Sequence, residues 1–202
     1  MPATTIPFPL FRFKEAAAAR EMPRDREEDR RRSRFEAVVL PHLDAAYNLA
    51  RWLTRHDEEA EDVVQTACLR ALRFFDGFQG GNARSWLLTI VRNTFYSWVA
   101  QHRERELDAP FDEEIHTVES AGGGPEAELL RRADAELLRQ GFAALPVPFR
   151  EVMVLREIEG LPYKEIAAIA GIPIGTVMSR LARARGHLQG YLIAHGAAGG
   201  RS

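Results

Sequence analysis

The chain has 202 residues, 46% of them apolar and 28% charged, and its 27 basic side chains nearly balance 29 acidic ones, for a formal charge of −2. That length and composition suit one or two small soluble domains with a buried core. A single cysteine, Cys68, excludes an internal disulfide framework, and no Cys/His cluster has zinc spacing, so neither a metal nor a cofactor is expected and Cys68 reads as a core residue in a reducing compartment.

The first 33 residues lack steady periodicity. They run from a Pro/Phe patch through "KEAAAAR" to the mixed-charge stretch "REMPRDREEDRRRSR". Residues 1–33 are therefore expected to form a mobile extension with a short helix near Ala16 to Ala19, the alternative being a partner-binding arm. In "IPFPLFRF", Pro7 and Pro9 interrupt the apolar run before it can serve as a signal-peptide core, and no stretch is long enough for a membrane span. The expectation is a cytoplasmic protein with no membrane insertion.

Ser33 followed by Glu36 has the pattern of a capping box and predicts an amphipathic helix through about Arg55, with Pro41 as a local objection. A second helix follows in "DEEAEDVVQTACLRALRFFDGF". Its apolar positions Val64, Cys68, Ala71, Leu72 and Phe75 recur at helical spacing, Asp57 is a candidate cap and Gly77 a stop. After the loop "FQGGNARSW", Asn82 is placed to cap a third helix running to about Arg105, with Leu87, Ile90, Val91, Thr94 and Trp98 on one face.

Residues 106–125, "ELDAPFDEEIHTVESAGGGP", are acidic, Gly-rich and without regular apolar spacing, which predicts a flexible linker able to span roughly 66 to 72 Å fully drawn out. Beyond it, Pro146, Pro148, Gly160, Pro162, Gly171 and Pro173 punctuate helices expected near 126–143, 147–159, 162–170 and 174–193. No segment alternates like a strand. The fold class is all-α: two small helical domains, 34–105 and 126–195, joined by the linker, with a tail at 196–202.

"YKEIAAIAGIPIGTVMSRLARAR" has the organisation of a helix-turn-helix. Ala167 is small where two helices must cross, Gly171 supplies a positive φ for the turn, and Val177 seals the second helix against the first. In the second helix Val177, Leu181, Leu188 and Leu192 form the inward stripe, leaving Thr176, Ser179, Arg180 and Arg183 on the opposite one. Arginine forks and hydroxyls near a helix amino terminus suit guanine edges and phosphates in a major groove. Residues 106–136 hold ten acidic side chains against Arg131 and Arg132. A chain so balanced lacks the basic surface with which a self-sufficient repressor displaces counterions from DNA. It suggests a subunit that reaches DNA while docked on a larger machine.

At this point the chain resembles the bacterial RNA polymerase sigma factors of the small, two-domain extracytoplasmic-function (ECF) type, over about residues 34–105 and 126–193. "AEDVVQTACLRAL" is similar to the family's core-polymerase-binding helix, "FQGGNARSWLLTIVRNTFYSW" to its minus-ten region, and "LPVPFREVMVLREIEGLPYKEIAAIAGIPIGTVMSRLARAR" to its minus-thirty-five domain. On the second helix, Asp62, Gln65 and Leu69 stand at i, i+3 and i+7 away from the apolar stripe, a mixed face suited to a partner helix. The resemblance implies that the partner is the clamp coiled coil of the beta-prime subunit, with the beta flap a further polymerase contact. On the third helix, Arg92, Tyr96 and Arg103 set cations and a ring along one stripe, suited to the phosphates and unstacked bases of a separated strand. By resemblance this helix, with Asn93 and the loop residues Phe78, Asn82 and Arg84, holds the non-template strand of the minus-ten element, while Trp86 and Trp98 are core. Ser97 departs from a common aspartate and Met178 from a common basic residue. The resemblance further implies an anti-sigma partner, a stress-response role and a monomer when free.

No phosphate-cradling loop, zinc-protease motif or nucleophile with its base is present, so no catalysis is expected. The competing readings are a stand-alone helix-turn-helix regulator, which would bind DNA as a dimer without help, and a sigma-like decoy for an anti-sigma factor.

Overall fold

The computed structural model describes residues 23–102 and 125–196, with side chains described over 26–102 and 133–196. Residues 106–124 of the expected linker 106–125, the short helix expected near Ala16 and the candidate site residue Arg103 lie outside the described residues, while Pro125 already belongs to a helix. Every regular element among the described residues is helical. No single helix there is long and apolar enough to cross a membrane, and no group of His, Cys, Asp and Glu is placed to hold a metal ion.

The helix expected to open at Ser33 opens upstream instead, as α1 (Pro23–Val39). The charge run is helical because its inner side is tied down. Arg31 donates to Asp76 at 2.8 Å and to the Leu72 carbonyl at 2.9 Å, Phe35 meets Phe75 edge to face at 5.4 Å, and Val39 is buried. Ser33 therefore sits mid-helix and caps nothing. Pro41 forces a 3₁₀ turn at Leu40–His42, after which α2 (Leu43–Thr54) begins as a separate helix. α2 ends at Arg55, whose φ of 71° is the left-handed conformation of a helix stop.

Asp57 does not cap α3 (Asp57–Phe74); it is the first helical residue, with His56 extended before it. Its carboxylate instead pairs with Arg51 and accepts the Tyr47 hydroxyl at 3.3 Å. Asn82 does cap α4 (Ala83–His102), its Oδ1 accepting the Ser85 N–H at 3.0 Å. The first-domain core is Leu49, Leu53, Val63, Val64, Ala67, Leu87, Leu88, Val91 and Phe95. Cys68 is only half-buried, yet packs against this core, and burial pushes its thiol up to about 11.

The second domain holds α5 (Pro125–Ala143), α6 (Val147–Met153) continuing as a π-helical stretch (Val154–Ile158), α7 (Tyr163–Ala170) and α8 (Ile174–Gly196). α7 and α8 are bent by 100° at the turn. Gly171 makes that turn at φ 64°. Val177 and Leu181 are buried behind α8, joined by Ala184, whereas Leu188 and Leu192 are only half-buried, Leu188 lying close against Gly141 of α5.

The two domains do not stand apart. Their buried side chains form one continuous core, Trp52 of α2 packs on Phe142 of α5 at 5.1 Å, and Arg150 of α6 donates to the Leu53 carbonyl at 3.2 Å. Arg150 thereby places a cation at the carboxyl end of α2, where the helix dipole favours one. Burial brings that guanidinium down to about 10, still charged at neutral pH, and leaves its Nε without a partner.

Candidate nucleic-acid interface

The candidate residues fall into three groups. On α3, Asp62, Gln65 and Leu69 are all exposed on one side, while Val63, Val64 and Ala67 fill the core on the other. Leu69 is 61% exposed, a large apolar side chain between polar neighbours.

The α4 group is where expectation and structure part. Arg92 and Tyr96 were placed on an outward stripe; they are half-buried, because the second domain covers them. Arg92 pairs with Glu151 of α6, and the Tyr96 hydroxyl donates to the same carboxylate at 3.1 Å. The Arg92 guanidinium also lies over the Tyr96 ring, 4.7 Å from its centre. Burial, then the Glu151 charge, pushes the Tyr96 hydroxyl up to about 12, so it remains a donor at physiological pH.

The start of α4 is engaged in the same way. Arg84 pairs with Glu159, which is buried and also accepts Asn48 Nδ2 at 3.3 Å. Glu165 of α7 accepts Asn82 Nδ2 at 2.7 Å and Ser85 Oγ at 2.6 Å. Asn93 is exposed, beside Arg92 Nη1 at 3.2 Å. Phe78 is committed to an aromatic cluster, 4.8 Å from Trp86 and 6.2 Å from Phe75. Trp86 and Trp98 pack against the core, as expected of them, though neither is fully buried.

On α8 the expected stripe is present. Ser179 and Arg183 are exposed and Thr176 and Arg180 half-buried. Ser179 Oγ donates to the Thr176 carbonyl at 3.0 Å. Arg180 is half-buried, and its charge is a minor influence on Glu151 and Tyr96, behind burial and Arg92. Arg185 lies to the side, donating to Glu157 at 2.7 Å. Met178, half exposed, puts an apolar group on the same surface.

Sequence reasoning missed Glu151, Glu159, Glu165 and Ser85. One signal was available: in "FREVMVL" the single carboxylate, Glu151, adjoins the apolar run Val152 to Leu155, and a carboxylate drawn into a core requires a partner. It is fully buried, and burial raises its pKa while Arg92, Tyr96 and Arg180 oppose that rise.

Residues 38–105 match the family Sigma-70 region 2, and residues 135–188 match Sigma-70, region 4. The ECF RNA polymerase sigma factor SigE of Mycolicibacterium smegmatis is 33% identical over 161 residues, which cover 80% of this chain and 62% of that protein. The chain thus spans under two thirds of that relative. The ECF sigma factor EcfG of Rhodopseudomonas palustris is 37% identical over 146 residues, covering 72% of this chain and 77% of EcfG. Among solved structures, the sigma factor RpoE of Bartonella quintana, in complex with the anti-sigma factor NepR, superposes with a TM-score of 0.64 at 32% identity, over 78% of this chain and 96% of that one. CnrH, in complex with the cytosolic domain of CnrY, superposes with a TM-score of 0.55 at 26% identity, over 79% and 88%. With regions 2 and 4 in the family's order on an all-helical frame, the chain belongs to the ECF sigma factors of the sigma-70 family.

Proposed function

We propose that this chain binds core RNA polymerase, carries it to promoters by their minus-ten and minus-thirty-five elements, and helps melt the DNA for initiation. The observation that carries the reading is the pairing, within one chain, of a helix-turn-helix with an exposed Arg/Ser stripe and a separate helix bearing arginines and a tyrosine. The first suits duplex DNA and the second a separated strand. Asp62, Gln65 and Leu69 dock the beta-prime clamp, with the second domain meeting the beta flap. Asn82, Arg84, Arg92, Asn93, Tyr96 and Arg103 hold the minus-ten strand, and Thr176, Ser179, Arg180 and Arg183 read the minus-thirty-five duplex. Phe78 contributes to the minus-ten loop as its aromatic floor. The chain works by binding, not catalysis, as a cytoplasmic monomer when free.

Two of the structural relatives are described in complexes, one with an anti-sigma factor and one with a partner's cytosolic domain. By analogy an anti-sigma protein restrains this chain until a stress signal releases it. The test is reconstitution with core polymerase and abortive transcription on a genomic fragment library. Initiation at a defined set of promoters, absent with core alone, supports the reading. Tight sequence-specific binding by the free chain at physiological salt, without stimulation of polymerase, replaces it with a stand-alone regulator.

A further inference from the structure

We infer that α1, which lies almost wholly upstream of the residues matched to Sigma-70 region 2, is a phosphate clamp. Its Arg30 and Arg34 hold the backbone of the non-template strand just downstream of the minus-ten element. This rests on the promoter-binding reading above and extends the path of the strand beyond α4 and its loop.

The charge run of α1 is sorted into rows at i, i+4 and i+8. One row, Arg31, Phe35 and Val39, turns inward, and an exposed Glu27 begins it. The row on one side of it is Arg26, Arg30 and Arg34, basic throughout, and the row on the other side is Glu28, Arg32 and Glu36. Arg32 is committed to Glu36 at 3.1 Å. Arg30 and Arg34 are both exposed.

The basic row begins at the minus-ten loop. The Arg34 guanidinium lies over the Phe75 ring, 5.7 Å from its centre, and Phe75 stacks on Phe78 of the loop at 6.2 Å. Arg31 is tied to Asp76 and to the Leu72 carbonyl. That anchor fixes α1 beside the loop and offsets the Asp76 charge there. Arg30 lies four residues from Arg34, about 6 Å along the helix axis, a spacing that an extended strand can follow.

Connectivity says which end of the strand meets α1. The domain that reads the minus-thirty-five duplex is joined at the carboxyl end of α4, and the loop precedes the amino end. A strand laid along α4 therefore comes from upstream at the carboxyl end and reaches the loop at its downstream end, where α1 stands. Exposed guanidiniums there meet phosphates by charge-assisted hydrogen bonds and displace counterions, a contact without base preference. The start of the row at the loop favours DNA over an acidic protein surface.

The probe is a fluorescein-labelled promoter fragment from the transcription screen, mismatched from the minus-ten element to the start site so that it is already open. It is titrated with holoenzyme by anisotropy over a range of salt concentrations. Arg30→Ala/Arg34→Ala should flatten the slope of log affinity against log salt by about 1.4, two single-strand contacts at about 0.7 each, and weaken binding about tenfold at physiological salt. Arg30→Ala alone leaves Arg34 on Phe75 and should give half that change in slope, which keeps the test intact if the double variant fails to fold. Arg32→Ala removes a cation from the other row and should leave the slope near wild type. Methylphosphonates in place of the first phosphates downstream of the minus-ten element supply the second measurement. They should weaken the wild type by a similar factor and the double variant no further. Equal slopes for the wild type and Arg30→Ala overturn the clamp, as does a folded double variant that stays sensitive to the methylphosphonates. Weaker binding of the variants to core polymerase without DNA also overturns it, because the row then meets a protein. A holoenzyme that initiates while its slopes are unchanged retires the clamp alone. A chain that supports no initiation retires the promoter reading and the clamp with it.

Discussion

α4 and α8 both carry arginines at helical spacing, yet the fold treats them differently. On α4, Arg84 and Arg92 are held by carboxylates from the other domain and Tyr96 is half-buried beneath it. On α8, Ser179 and Arg183 stay in solvent and Thr176 and Arg180 are half-buried. A duplex-reading stripe needs only a rigid helix held at a fixed angle, and the 100° turn with Val177 beneath it provides that within one domain. A strand-binding face needs arginines and an aromatic ring near apolar surface, and such a face is easily covered by any acidic neighbour. The difference teaches that charge is not spread evenly among the described residues: Glu151, Glu159 and Glu165 all lie against α4, whereas α8 receives Glu157 at Arg185, to the side of its exposed stripe.

The comparison depends first on α8 being rigid. Val177 is fully buried where α8 crosses α7, so Val177→Asp should destabilise the second domain by about 3 to 5 kcal/mol by burying an unpaired charge. Thermal melting followed by circular dichroism checks it. Because the two domains share one core, the first domain should melt with it; two resolved transitions with the first unchanged would show that the closed contact adds little stability.

The contrast with α3 is next in size. Leu69→Asp changes an exposed side chain, so melting should be preserved while core-polymerase affinity falls by about 2 kcal/mol or more, the range of an interface anchor. Unchanged core affinity in a folded variant would mean that Asp62, Gln65 and Leu69 form plain solvated surface.

Much of this was legible in the sequence, and the failures have physical causes. The helix-turn-helix was readable because its spacing is local: Gly171 at the turn, Val177 six residues on, and the Arg/Ser stripe opposite all follow from helical periodicity. Asn82 was found as a cap for the same reason. The start of α1 was missed because propensity in a charge run says nothing of Arg31 reaching Asp76, forty-five residues away. The burial of Arg92 and Tyr96 was missed on the same principle at longer range, since Glu151 lies beyond the linker. Periodicity tells which side of α4 faces its own core. It does not reveal that a second domain covers the other side.

Within α8 the effects are smaller and the two arginines should part. Arg180→Ala and Arg183→Ala should each cost roughly 1 to 3 kcal/mol of promoter binding if the guanidinium is bidentate to a guanine, with relaxed preference at one base pair. If either holds only phosphate, the loss is uniform across promoter variants. Arg180 is half-buried and Arg183 exposed, so Arg180→Ala should perturb the folded chain more than Arg183→Ala does. Initiation from promoters varied at each minus-thirty-five position decides the first point. Wild-type activity of both variants on all promoters would show that the reading stripe lies elsewhere on α8.

The smallest effect is a pH dependence located at Glu151. Burial is the largest influence on its carboxyl and raises its pKa, against the opposing charge and hydrogen bonds of Arg92, the Tyr96 hydroxyl and the charge of Arg180. A carboxyl raised in the folded state binds its proton more tightly there than in the unfolded chain. Its contribution is therefore fully present below the ordinary value of 4.5 and is lost as pH rises through the folded value. Glu151→Gln keeps the shape and a hydrogen-bonding oxygen but does not titrate. The melting temperature of the wild type should accordingly fall relative to Glu151→Gln as pH rises from about 4.5, the ordinary carboxyl value, each unit of displacement corresponding to about 1.4 kcal/mol. A gap that moves in favour of the wild type over the same range would mean that Arg92 and Tyr96 outweigh burial. Glu151 would then be held as a carboxylate, and the contrast between the covered α4 face and the open α8 face would rest on a fully charged pair.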